Sequence, residues 1–97
     1  MGKFVLLLNW TDQGIRNVKD TVKRAESFRS YLEKRGGKLV DMLYTFGQYD
    51  FIAVAELPND EIAMSVSLGT GALGNVRVTT LKAFGLEETR RIIEELK

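Results

Sequence analysis

Two short runs of the chain, FVLLL at residues 4–8 and FIAVA at residues 51–55, are apolar at every position. A strand with one face in water alternates apolar and polar side chains, because successive side chains point to opposite faces of the sheet. These runs therefore predict strands that are apolar on both faces. A sheet built around them needs apolar cover on each side, since large contiguous apolar patches are rare on the surface of monomers.

The remaining patterns predict one α+β domain over residues 1–97, of the ferredoxin-like type. Apolar residues recur at helical spacing from Ile15 to Leu32, with Asp20 as the expected N-cap of the main part, and Gly36-Gly37 ends the helix. Further strands are predicted at 38–46, 51–56 and 76–81, a second helix from Asn59 to about Leu68, a loop at 69–75 and a terminal helix at 86–97. The order β-α-β-β-α-β predicts an antiparallel sheet with helices on one face and strands 1 and 3 in the middle.

The second face of this sheet has two possible covers. A second copy of the sheet is the simpler one, and isologous C₂ dimers are the commonest assemblies. The alternative is that the terminal helix folds back over the sheet. We predict a homodimer or a higher homo-oligomer.

The chain contains no Cys and no His. This excludes disulfides, thiolate nucleophiles, Cys/His zinc sites and His-based catalytic triads. Acid–base chemistry would depend on Asp, Glu, Lys or Tyr, residue types whose reference pKa values lie far from neutrality. We expect no metal and no cofactor, and the sequence leans away from catalysis.

Charge and hydropathy limit the partners. The formal net charge is +1, which provides no general attraction to nucleic acid or anionic membranes. No window approaches the roughly 20 apolar residues of a membrane span. We expect a cytoplasmic protein with no membrane partner. A basic stripe on the first helix (Arg16, Lys19, Lys23 and Lys34) is interrupted by acidic residues and lacks interleaved aromatic residues, so a solvated face is favoured over a nucleic-acid surface.

Residues 69–74 read G-x-G-x-x-G, the spacing of a dinucleotide-binding loop. That loop functions after a strand and before a helix, whose N-terminus receives the pyrophosphate. Here the glycines follow a predicted helix and precede a strand. We therefore predict no nucleotide site at this position.

Three segments carry a resemblance to a known family: LLNWTDQGIRNVKD near the start, TFGQYDFIAVAELPNDE in the middle and LGNVRVTTLKAF after it. They resemble the GYD-domain family, which is named for a Gly-x-Tyr-Asp motif, here Gly47, Tyr49 and Asp50. The resemblance implies a dimeric α+β barrel and no established biochemical activity. Strands 2 to 4 are more loosely similar to the effector-binding domain of Lrp/AsnC-type regulators, which bind small molecules, commonly amino acids, at subunit interfaces.

The Gly-x-Tyr-Asp segment has a structural and a functional interpretation. In the first, Gly47 adopts a positive φ, the Asp50 carboxylate accepts from loop N–H groups and Tyr49 packs across an interface. In the second, the segment borders a pocket that offers aromatic walls and a few polar groups. The residues predicted to line such a pocket are Asn9, Trp10, Tyr44, Gly47, Tyr49, Asp50 and Arg77.

The favoured function is a non-catalytic homo-oligomer that binds a small molecule at or near the subunit interface. The alternative is a cofactor-free enzyme of the dimeric α+β barrel type, resembling an oxygenase or isomerase and using Tyr49 and Asp50.

Overall fold

The structure, a computed structural model, describes residues 1–96 of the chain. Its strands and helices follow the predicted order and are bounded as follows: β1 Gly2–Trp10, α1 Asp12–Arg16, α2 Thr21–Lys34, β2 Lys38–Tyr44, β3 Phe51–Leu57, α3 Asp60–Ala72, β4 Val76–Ala83 and α4 Leu86–Glu94. The four strands form one antiparallel sheet in the order β2-β3-β1-β4. The predicted α+β class is confirmed, and so is the central position of the two apolar strands.

The hydrophobic core lies between one face of the sheet and helices α2 and α3. The sheet contributes every second residue of β1 and β3, and the helices contribute Leu32, Ala63 and Val66. Both central strands alternate in burial along their length. The buried residues of these two strands are Phe4, Leu6, Leu8, Phe51, Ala53, Ala55 and Leu57, and the edge strands add Leu39 and Val76.

The opposite side of the sheet, which we call the open face, is also apolar in its middle. Its central residues are Val5 and Leu7 of β1 with Ile52 and Val54 of β3, flanked by Leu43 of β2 and Leu81 of β4. Leu43 is 57% exposed and Leu81 is 47% exposed. The prediction that the central strands are apolar on both faces is therefore confirmed, and the second face lacks the cover that the first receives from helices.

Helix α4 leaves the open face uncovered. The helix buries none of its residues, and its apolar side chains Leu86, Ile92 and Ile93, together with Leu96 just after it, are between 50 and 90% exposed. Its predicted C-terminal residue, Lys97, lies outside the described residues. The alternative in which this helix folds back over the sheet is not the arrangement observed.

The first helix is divided rather than continuous. Helix α1 ends at Arg16, a 3₁₀ turn covers Val18–Asp20, and α2 starts at Thr21. Thr11 caps α1, because its Oγ1 accepts a hydrogen bond from the Gly14 N–H at 3.1 Å. Asp20 occupies the N-cap position of α2, but its side chain makes no capping hydrogen bond. The predicted role of the Asp20 carboxylate was therefore wrong.

Helix α3 begins as predicted and ends later. The Asn59 Oδ1 accepts from the Ile62 N–H at 2.9 Å, which confirms the predicted N-cap. The helix continues to Ala72 through Gly69 and Gly71, so the predicted loop at 69–75 was wrong over its first half. Packing of the helix on the sheet outweighs a propensity cost of about 1 kcal/mol per glycine. In residues 1–96 no helix is both long and apolar enough to cross a bilayer.

Candidate functional site

A cavity of about 440 Å³ lies between α2, the end of α3 and the helix-covered face of the sheet. Leu8, Met42 and Phe51 form its floor on three adjacent strands, and α2 contributes Ala25 and Phe28 to its wall. Leu73 and Val76, from the loop after α3 and the start of β4, also line the cavity. The lining is therefore mainly aliphatic and aromatic.

One stripe of α2 provides the cavity wall. Residues Thr21, Arg24, Phe28 and Tyr31 recur at spacings of three and four along the helix and all line the cavity. The Thr21 Oγ1 lies 3.0 Å from the Tyr44 Oη on β2, which joins the start of α2 to the sheet. The Tyr31 Oη accepts from the Arg35 Nη1 at 3.2 Å. The cavity thus has an apolar body and a small number of polar groups at its edges.

Arg24 provides the one charge among the residues that line the cavity. Its Nη1 donates to the Asn17 carbonyl at 2.9 Å, an oxygen that also accepts from the Asp20 N–H at 3.0 Å. Its Nη2 is shielded from solvent and donates to no acceptor within residues 1–96. No carboxylate of that range lies within ion-pair distance of the Arg24 guanidinium. A buried donor without an acceptor costs roughly 1–3 kcal/mol, and more when the group is charged.

Trp10 stands beside the cavity and holds a second buried donor. Its ring centroid lies 5.5 Å from that of Phe51 and 6.4 Å from that of Tyr44, both of which line the cavity. Its Nε1–H is buried and has no acceptor in the described chain. The buried side-chain atoms left without a partner in residues 1–96 are therefore both donors.

The connection between β2 and β3 is tied to the end of β1. The Asp50 Oδ2 accepts from the Trp10 backbone N–H at 2.9 Å, and the Asp50 N–H donates to the Leu8 carbonyl at 2.9 Å. Gly47 has a φ of 134°, which confirms its predicted positive φ. The Asp50 carboxylate was expected to bind N–H groups of its own loop, whereas it binds the neighbouring strand. The segment anchors β2 and β3 to β1.

Comparison with known families agrees with this architecture. The GYD-domain profile matches residues 4–93 of the chain, almost its whole length. The chain belongs to the GYD-domain family. No curated protein matches this GYD protein significantly. In the GYD structure, Gly47, Tyr49 and Asp50 lie in the connection just described, outside the cavity lining.

The other predicted pocket residues of the GYD protein divide between the two faces of the sheet. Trp10 pairs with Val76 and Tyr44 pairs with Phe51, so both belong to the helix-covered side. Asn9 and Arg77 pair with each other across β1 and β4 and belong to the open side. The Asn9 Nδ2 donates to the Gln48 carbonyl at 3.0 Å. Tyr44 is the one predicted residue that lines the cavity.

Sequence reasoning missed Arg24, Thr21 and the rest of the α2 stripe as site residues. A signal was available, because a threonine and an arginine share the stripe with Phe28 and Tyr31, where an ordinary core-facing helix carries apolar residues. In residues 1–96 of the GYD protein, no three Asp or Glu side chains group closely enough to hold a metal ion.

Proposed function

We propose that this GYD protein is a non-catalytic homodimer that binds a small, mainly apolar molecule in the cavity of each subunit. The observation that carries the proposal is the cavity of about 440 Å³ with its largely apolar lining. Ligand sites commonly occupy about 300–1,000 Å³ and combine apolar walls with a few polar groups that orient the ligand. Both properties fit the space between α2 and the sheet.

The proposed site lies within a subunit, and the sequence interpretation had put it at or near a subunit interface. The cavity floor is made by Leu8, Met42 and Phe51, whose side chains leave the sheet on the side opposite to Leu7 and Ile52. A partner on the open face would therefore leave the entrance to the cavity free. Dimerisation and ligand binding are compatible because they use opposite faces.

The open face supports the homodimer. Its apolar centre, Val5, Leu7, Ile52 and Val54, is only partly shielded within one subunit, and α4 does not cover it. Joining two such faces about a two-fold axis would remove the same apolar surface from water on both copies. Sedimentation velocity at micromolar concentration tests this, with a dimer expected. A stable lone subunit would contradict the dimer and leave the cavity proposal in place.

The enzymatic alternative draws little support from the geometry. Asp50 uses its carboxylate in the bond to Trp10, and neither Tyr49 nor Asp50 lines the cavity. The Tyr49 carbonyl accepts from the Thr45 Oγ1 at 2.6 Å, a contact within the connection between β2 and β3. A structural role accounts for the Asp50 carboxylate, and the Tyr49 contact involves only its backbone.

Ligand screening combined with NMR mapping tests the binding site. A library of small apolar metabolites is screened for thermal stabilisation, which reaches about 2.7 kcal/mol when a ligand is present at a hundred times its Kd. Amide-shift mapping of a hit should then show the largest changes at Ala25, Phe28 and Met42. Changes centred on Leu7 and Val54 would instead place the ligand on the open face and contradict the proposal.

A further inference from the structure

The charged and hydrogen-bonding groups around the cavity limit which chemical groups its ligand can carry. Arg24 is the one charged residue of the lining, and its guanidinium is held in place by the bond to the Asn17 carbonyl. An oxygen acceptor that enters the cavity can pair with the charged guanidinium, whereas a group that only donates cannot.

The positive charge of Arg24 has no counterion in the described chain, because no carboxylate of residues 1–96 lies within ion-pair distance of its guanidinium. No buried side-chain acceptor in residues 1–96 lacks a partner. The cavity therefore offers one positive charge among mainly apolar walls, which is complementary to an anion rather than to an amine or an alcohol.

We infer that the ligand is a monocarboxylate with an aliphatic or aromatic body, whose carboxylate binds Arg24 while its body fills the space beside Ala25 and Phe28. This inference rests on the proposed function, because it names the class of ligand for the same cavity. A single negative charge matches the single guanidinium. A phosphate monoester would bring a second charge for which the lining has no cation.

Three eight-carbon probes that differ in head group test the inference on the full-length protein: octanoate, octanamide and octylamine. Calorimetry at neutral pH is expected to show octanoate binding about tenfold or more tightly than octanamide. The reason is that a guanidinium forms a stronger hydrogen bond with a charged carboxylate than with a neutral amide. Octylamine should bind more weakly than octanamide, because its ammonium would face the guanidinium. Octyl phosphate serves as the fourth probe and should bind less tightly than octanoate.

Variants of α2 identify the recognition group. Arg24→Gln should remove most of the octanoate preference and leave octanamide affinity within about twofold, and Arg24→Lys should retain part of the preference. Arg29→Gln is the matched control, because Arg29 is exposed on the same helix and does not line the cavity. It should bind octanoate as the wild type does. Amide exchange or circular dichroism establishes that each variant is folded.

Each contrary outcome has a distinct meaning. Equal affinity for octanoate and octanamide, unchanged in Arg24→Gln, would overturn the carboxylate assignment and leave an apolar binding site standing. Tighter binding of octyl phosphate, or an octanoate preference that survives Arg24→Gln, would also overturn it. Binding of none of the probes would count against the carboxylate and against the proposed cavity function together.

Discussion

The Asp50 carboxylate accepts a hydrogen bond from the Trp10 backbone N–H at 2.9 Å, across 40 positions of the sequence. The bond joins the connection between β2 and β3 to the last residue of β1, beside the ring that borders the cavity. The Asp in the Gly-x-Tyr-Asp motif thus positions the end of a strand, so replacing it should lower the stability of the fold.

Replacing Asp50 tests this structural role. We expect Asp50→Ala to lower the free energy of unfolding by about 1–2 kcal/mol, because the Trp10 N–H loses a charged acceptor. Asp50→Asn should cost less, as its amide oxygen can still accept. Urea denaturation measures both, with Asp20→Ala as the control, since the Asp20 side chain makes no capping bond and its loss should stay within about 0.5 kcal/mol. Equal effects at Asp50 and Asp20 would contradict the anchoring role.

Gly14 is required where α1 meets the segment before β4. A Cβ built on Gly14 would overlap the Asn75 carbonyl oxygen, which is backbone and cannot rotate away. Gly14→Ala should therefore destabilise the fold by about 1–3 kcal/mol. Gly71→Ala is the control in α3, because the nearest atom to its Cβ lies 4.0 Å away and alanine favours helix. Thermal denaturation should show no loss, or a gain of up to about 1 kcal/mol, for Gly71→Ala. Unchanged stability of Gly14→Ala would show that the two segments can separate without cost.

We predict that a charged residue placed on the open face disrupts the proposed dimer. Leu7→Lys should convert the dimer to monomers, because an ammonium group would face the apolar centre of the partner surface. Light scattering after size exclusion measures the mass. Leu68→Lys is the control: Leu68 is 65% exposed on α3, on the opposite side of the sheet, and its replacement should leave the mass unchanged. If Leu7→Lys elutes as a dimer, another surface joins the subunits.

Filling the cavity should stabilise the protein. Ala25 lines it from α2, and a larger aliphatic side chain at this position would add apolar contacts without displacing the core. Ala25→Leu should raise the free energy of unfolding by about 0.5–2 kcal/mol and weaken binding of apolar ligands. Guanidinium denaturation and calorimetry measure the two effects. Ser30→Leu is the control, because Ser30 is exposed on α2, and it should change neither the stability nor the ligand affinity. If Ser30→Leu stabilises the protein as much as Ala25→Leu does, helix propensity and not the cavity is responsible.

Much of the fold was predictable because its signals are local. The apolar residues of β1 and β3 predicted two central strands with apolar faces on both sides, and Asn59 predicted the start of α3 through its capping chemistry. The residues at which helices and strands end were harder to predict. Gly69 stops many helices, yet packing of α3 on the sheet carries this one to Ala72, a tertiary effect that no local window contains.

The candidate site was predictable only in part. The predicted residues Tyr44 and Trp10 lie together, because both rings pack on Phe51. Asn9 and Arg77 were grouped with them although they belong to the other side of the sheet, since a shift of one residue along a strand reverses the face. Arg24 was neither among the predicted site residues nor in the predicted basic stripe, although it lines the cavity.

The sequence by itself determined the element order, the two apolar faces of the central strands and the absence of Cys and His chemistry, because these depend on composition and on spacing within single elements. Only the tertiary structure decided that a cavity exists and which side chains line it. A cavity is the space left between elements distant along the chain, here α2, α3 and four strands, and its shape depends on how closely they pack. The same packing leaves the Arg24 Nη2 buried without an acceptor.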